Sequence, residues 1–183
     1  MLVLSKPDLL KRIKSGSVVF DPPVSPSAIK QCSIDLRLGR VFSVFKPKDH
    51  IAAISLSTKS IFDQEDLWDA REEDFFTLRP QGFVLAQTLE TVTIPADLMG
   101  LVEGRSSWAR LGVGVHLTAP KIDPGYSNTI TLELSNHGGV AVELAAGRDK
   151  PCQLILLKLS TRLSKADLYG GSAEDIFQKK AAR

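Results

Sequence analysis

The chain has 183 residues, 43% of them hydrophobic and 24% charged, with a formal net charge of +2 at pH 7. That length suits a single domain with a real core, and the composition is that of an ordinary globular protein. The charge is too small to argue for nucleic acid or a membrane surface as partner. The opening MLVLSKPDLL becomes charged at once and is read as neither a signal peptide nor a spanning helix, and a cytoplasmic location is expected from the free thiols that follow. Cys32 and Cys152 are far apart in apolar runs and are expected to be buried free thiols.

Ser5, Pro7 and Asp8 ahead of the periodic Leu9, Leu10 and Ile13 predict an N-capped helix ending near Gly16, with a connector to residue 20. The Pro-rich stretch Asp21–Pro26 must run extended. Ser33–Leu38 alternates Ile34, Leu36 and Leu38 against Asp35 and Arg37, a strand with a polar face, and Val41–Phe45 extends it beyond Gly39. Between residues 51 and 74 the chain carries scattered acids (Asp63, Glu65, Asp66, Asp69, Glu72, Glu73, Asp74), whose irregular spacing favours a solvated insertion over a metal site. Phe75–Leu78, Phe83–Leu89 and Thr91–Ile94 are short strands, with Glu90 separating the last two. Val140–Leu144 and Cys152–Leu159 complete the set, joined by an exposed hairpin connection over 145–151. Short strands with Gly and Pro punctuation predict an all-β sandwich or barrel.

The segment Gly104–Asn136 concentrates the chemistry. Arg105, Ser106 and Ser107 bring a guanidinium fork and two hydroxyls together, a donor set suited to a phosphate chain without a Walker loop. Taken alone, the run equally suits a surface turn entering a short helix capped by Ser106 or Ser107. Thr129, Thr131, Glu133 and Ser135 alternate with Ile130, Leu132 and Leu134, a half-buried strand with Glu133 on its polar face. A solvated strand glutamate is the ordinary reading, weakened by the scarcity of other charge on that face and by Arg105, Arg110 and Asp123 nearby in sequence. His116, in an apolar strand, reads as a satisfied core group, and His137 as a turn residue.

Arg105–Gly112, His116–Ala119, Ile122–Tyr126 and Leu132–Asn136 stand in fixed order as R-S-S-x-A-R-L-G, H-x-T-A, I-D-P-G-Y and L-E-x-x-N. Together they resemble the dCTP deaminase family of the trimeric dUTPase superfamily. The resemblance extends to Gln31–Gly39 and to Tyr169–Gly171, and so covers most of the chain outside residues 47–78. It implies an all-β, distorted jelly-roll or β-barrel fold of the dUTPase-like (β-clip) type with a short N-terminal helix. It also implies a homotrimer, with residues 168–183 as a flexible lid. The implied substrate is dCTP, with Mg2+ carried in on the triphosphate and dTTP as a candidate feedback inhibitor.

Residue by residue, the resemblance makes Glu133 the general base and acid, with Arg110 and Ser106 assisting it. Arg105, Ser106, Ser107, Trp108, Ala109 and Arg110 take the nucleotide along one run. Asp123 receives the 3′-hydroxyl and Tyr126 stands against the sugar, while main-chain groups near Ala119, Thr131 and Leu132 read the pyrimidine. Gln153, Tyr169 and Lys180 complete the implied binding set, Lys180 standing where family tails carry glutamine.

Zinc-dependent nucleobase deaminases use an H-x-E and P-C-x-x-C signature, and this chain has no C-x-x-C, so no zinc is expected. The leading expectation is conversion of dCTP to dUTP and ammonia. The rivals are a bifunctional enzyme proceeding to dUMP, a plain dUTPase, and a nucleotide-binding module without turnover.

Overall fold

A computed structural model describes residues 2–46 and 68–170 of the chain. The strands are β1 (Leu2–Val3), β2 (Val19–Asp21), β3 (Ile34–Leu36), β4 (Leu38–Phe45), β5 (Trp68–Glu72), β6 (Phe75–Leu78) and β7 (Phe83–Thr93). They continue as β8 (Leu98–Gly104), β9 (Val113–Gly114), β10 (Lys121–Ile122), β11 (Ser127–Asn136), β12 (Val142–Ala145) and β13 (Cys152–Lys158). Among the described residues two α-helices, α1 (Lys6–Lys14) and the single turn α2 (Ser106–Ala109), interrupt them, with short 3-10 turns at Pro26–Ala28 and Lys165–Asp167.

One sheet runs β1-β13-β8-β10 and a second runs β5-β4-β7-β11-β9; β12 and β6 pair separately. β3 shares an edge of β13 end to end with β1, and β2 shares an edge of β7 with β4. Every inter-strand pairing is antiparallel, so each strand can bury one face and leave the other to solvent or a partner. β7 shows this as strict alternation of buried and half-buried residues along its length. The inward sets of the two sheets, Leu98, Val102, Leu154 and Leu156 from one and Phe42, Val84, Ile130, Leu132 and Leu134 from the other, form one cluster. The fold is the all-β, distorted barrel with a short N-terminal helix that the sequence predicts.

α1 lies close to its expected bounds, but Ser5 does not cap it with its side chain; its Oγ donates to Asp8 at 2.7 Å instead. Leu9 buries completely, and Arg12 grips Asp97 with both terminal nitrogens at 2.6 and 3.4 Å, tying the helix to the β7–β8 turn. Leu159 and Leu163 N–H groups donate to the Asp97 and Ala96 carbonyls, so the same turn also anchors the segment after β13.

Four sequence expectations are corrected. Ser33–Leu38 is not one strand: β3 pairs with β13 in one sheet and β4 with β7 in the other, so the chain changes sheets at Arg37. Glu90 does not break β7; it lies inside it at 1% exposure, because the Arg37 backbone N–H and Nε donate to its two carboxylate oxygens at 2.8 and 2.7 Å. The 145–151 connection is not a hairpin, since β12 pairs with β6 and β13 with β8 and β3; the Asp149 carbonyl and the Gly147 N–H bond to Leu38 instead. Finally, Cys32 is exposed while Cys152 is buried, its thiol pushed up to about 12 by burial first and then by the nearby Glu90 and Asp35 carboxylates.

Of the acidic patch, Asp63, Glu65 and Asp66 lie outside the described residues. Asp69 pairs with Arg71 and Asp74 with Arg40, and no group of three metal-ligating side chains occurs among the described residues. No helix among them is long and apolar enough to cross a membrane.

Candidate active site

Arg105 lies between β8 and α2 at the N-cap position of the helix, with its own backbone N–H donating to the Pro151 carbonyl at 3.0 Å. Its Nη1 donates to the Lys150 carbonyl at 2.9 Å and its Nε lies 3.4 Å from Oδ2 of Asp35, a carboxylate only 4% exposed. Across from it on β13, Gln153 accepts a hydrogen bond from Ser33 Oγ at 2.8 Å and donates to the Gly104 carbonyl at 3.3 Å. Arg105, Ser106 and Gln153 thereby open on one polar cleft of about 200 Å³, with Lys30, Gln31 and Ser33 on its other wall. Three predicted binding residues thus meet, joined by Gln31 and Ser33 of the Gln31–Gly39 run and by Lys30, which the sequence does not single out.

α2 is one turn, with Arg105 rather than a serine at its N-cap position and no side-chain cap bond. Ser106 and Ser107 are consequently exposed, as are Ala109 and Arg110, while Trp108 leans on the core. Gly112 follows at φ +87°, and a Cβ there would stand 2.3 Å from the Gly138 nitrogen. The His137 N–H donates to the Gly112 carbonyl at 2.8 Å. This close backbone approach, available to glycine alone, fixes the end of α2 and hence Arg110 against the end of β11.

Glu133 sits on β11 opposite Leu85 of β7, half-buried. Its backbone N–H donates to the Val115 carbonyl at 2.9 Å, and its Oε2 accepts from the Leu117 N–H at 2.7 Å. The 115–117 backbone therefore fixes both the strand and the carboxylate, a contact no sequence pattern announces. Oε1 carries no hydrogen bond among the described residues, and no ion pair there joins Glu133 to Arg105 or Arg110. Thr131 is exposed beside it, whereas Leu132 is fully buried, so only the Leu132 backbone can reach a ligand. A register shift between Thr129 and Thr131 marks an irregularity in the pairing with β7, while the expected alternation holds from Thr129 to Leu134 and fails at Ser135, which is buried rather than on the polar face.

Asp123, Pro124 and Gly125 form the tight turn the sequence predicts, with Gly125 at φ +88° and its N–H on the Ile94 carbonyl at 2.9 Å. Lys121 reaches Asp123 at 2.8 Å. The Tyr126 hydroxyl donates to the Thr129 carbonyl, and burial pushes that phenol up to about 12, with Tyr169 adding to the shift. Tyr169 packs its ring 5.3 Å from that of Tyr126 and donates its N–H to the Pro124 carbonyl at 2.9 Å. Leu168 occupies the space a Gly125 Cβ would need, at 2.8 Å. Residues 168–170 are therefore docked on the turn, where the sequence placed the start of a lid; Lys180 lies outside the described residues. Ala119 is exposed just before β10.

His116 differs from the satisfied core histidine expected. It is partly exposed, its Nε2 stands 3.6 Å from Glu103, and its buried Nδ1 has no hydrogen-bond partner among the described residues. His137 is exposed after β11 as expected of a turn residue, with Nε2 3.1 Å from Ser135 Oγ.

The chain is similar to known proteins along nearly its whole length. A family model described as dCTP deaminase-like matches residues 3–159. A "dCTP deaminase, dUMP-forming" of Dictyoglomus thermophilum is 42% identical over 161 residues, 87% of this chain and 82% of that one. A "dCTP deaminase" of Haloarcula marismortui is 40% identical over 178 residues, 97% of this chain and 90% of its own length. Among solved structures, the 2′-deoxycytidine 5′-triphosphate deaminase of Agrobacterium tumefaciens superposes with a TM-score of 0.66 at 17% identity, covering 90% of this chain and 50% of that one, a likeness of fold. The chain belongs to the dCTP deaminase-like family.

Proposed function

We propose that this protein deaminates dCTP, with Glu133 carrying protons between water, ring and leaving amine. The observation that carries this reading is the Glu133 carboxylate, half-buried and clamped through Oε2 by the Leu117 N–H while Oε1 has no protein partner among the described residues. A fixed acceptor with one oxygen open is what a general base requires. Water adds to C4 as Glu133 takes its proton, and that proton passes to N3. The resulting hydroxyl then yields its proton as the amino group is protonated, the C4–N4 bond breaks, ammonia leaves and the carbonyl forms. Atoms balance as dCTP plus water giving a uracil nucleotide plus ammonia. Arg110 and Ser106 hold water and carboxylate in place, and Mg2+ enters on the triphosphate. The route is written without zinc because the sequence has no C-x-x-C.

The site is shared between copies in a homotrimer. Within one chain Arg105 is turned toward Asp35 and Lys150. Glu133 instead belongs to the β7–β11 surface with Leu85. A second copy that lays its Arg105–Arg110 run over Glu133 completes the constellation.

The fate of the triphosphate is a second reading with its own support, since the relatives from Dictyoglomus thermophilum and Parafrankia sp., the latter 44% identical, are named dUMP-forming. Asp123, half-exposed beside Lys121, is the residue to activate water at the α-phosphorus in that case. Incubation of the pure protein with dCTP and Mg2+, followed by assay of ammonia, dUTP, dUMP and diphosphate, tests both. Ammonia with dUTP supports deamination alone, and ammonia with dUMP and diphosphate supports the bifunctional course. Tight dCTP binding without ammonia contradicts both.

A further inference from the structure

The cleft beside Arg105 holds a cation that the Arg-Ser-Ser run does not supply. Lys30 Nζ stands 3.7 Å from Oδ2 of Asp35, the same oxygen that lies 3.4 Å from Arg105 Nε. Two cations from distant parts of the chain therefore straddle one carboxylate oxygen, and that carboxylate is 4% exposed. The Lys30 ammonium also donates to the Ser27 carbonyl at 2.6 Å, which pins its head at the rim. Ser106 and Gln153 line the same space. The cleft has one more positive than negative charge among its described lining residues, with its acid largely withdrawn from solvent, and an oxyanion entering it meets donors on two sides.

We propose that Lys30 is a second cation for the polyphosphate of the nucleotide, set opposite Arg105 with Asp35 as the fixed counter-charge between them. This rests on the reading that the cleft receives the triphosphate. Lysine is a point charge without the planar fork of arginine, so Lys30 adds charge at the rim while Arg105 fixes the geometry of the oxyanion. The Lys30 contact is distant from the reacting carbon, is made equally in ground and transition states, and acts on KM rather than kcat.

The test uses the full chain and two ligands, dCTP as substrate and inorganic tripolyphosphate as competitor. Lys30→Met keeps the alkyl stem and removes the charge on a side chain that is 42% exposed, so the melting temperature should hold. The expected result is a rise of about tenfold in the KM for dCTP and in the Ki of tripolyphosphate, with kcat little changed. Lys30→Arg should restore both. Arg105→Gln is the control on the cleft: weaker tripolyphosphate inhibition in that variant but not in Lys30→Met overturns the role of Lys30 alone. Unchanged inhibition in both variants overturns the phosphate reading of the cleft, and the role of Lys30 with it.

Discussion

Glu133→Gln lowers kcat for ammonia release from dCTP by about a thousandfold, the scale of a lost general acid and base, while dCTP affinity stays within about threefold of the parent. The substitution conserves volume, and the new amide oxygen still accepts from the Leu117 N–H that holds Oε2 at 2.7 Å. β11 keeps its backbone bond to Val115, so the strand and the pocket wall stay in place. Only the ability to take and return a proton is removed. Parallel measurement of ammonia release and equilibrium dCTP binding separates this from a folding defect, and full turnover by the variant would refute the role given to Glu133.

Gly112→Ala should damage both stability and turnover. Its φ of +87° costs an L-residue about 1–2 kcal/mol. The added Cβ would also stand 2.3 Å from the Gly138 nitrogen and 2.6 Å from its Cα, backbone atoms that can yield only by moving the end of β11. Together these should cost about 3 kcal/mol or more, a fall in melting temperature of about 10 °C for a chain of this size. Because Arg110 stands two residues ahead of this contact, the same shift misplaces its guanidinium and lowers kcat/KM by about a hundredfold. Gly139→Ala is the matched control: nothing lies within 4 Å of the Cβ it would add, so it should change stability by under about 0.5 kcal/mol. Equal melting temperatures for the two variants would contradict the packing argument.

The alternation Thr129–Ser135 was enough to put Glu133 on a partly solvated face, and the Asp-Pro-Gly run was enough to place the sugar-side turn, because both are local signals of period and φ. What stayed hidden depends on partners distant in sequence. Asp35 looked like one more residue of a polar strand face, yet it is buried because Lys30 and Arg105 converge on it from separate parts of the chain. Glu90 looked like a strand break and proved to be the buried partner of Arg37, 53 positions away. The Leu117 clamp on Glu133 is a backbone contact, and backbone donors leave no residue-type signature. The sheet change at Arg37 and the link from residues 147 and 149 to Leu38 were likewise set by which edges remained unpaired, not by propensity.

If one copy supplies Glu133 and another the Arg105–Arg110 side of the same site, as proposed, two inactive chains should rescue each other. Glu133→Gln and Arg110→Gln chains, each nearly inactive alone, are co-expressed with different tags and purified as mixed assemblies, and their ammonia release from dCTP is assayed. Every mixed cyclic trimer, two-to-one or one-to-two, keeps both residues intact at one of its three shared sites, so activity should return to about a third of the parent. Activity no greater than the sum of the two separate variants would show that each chain builds its site alone.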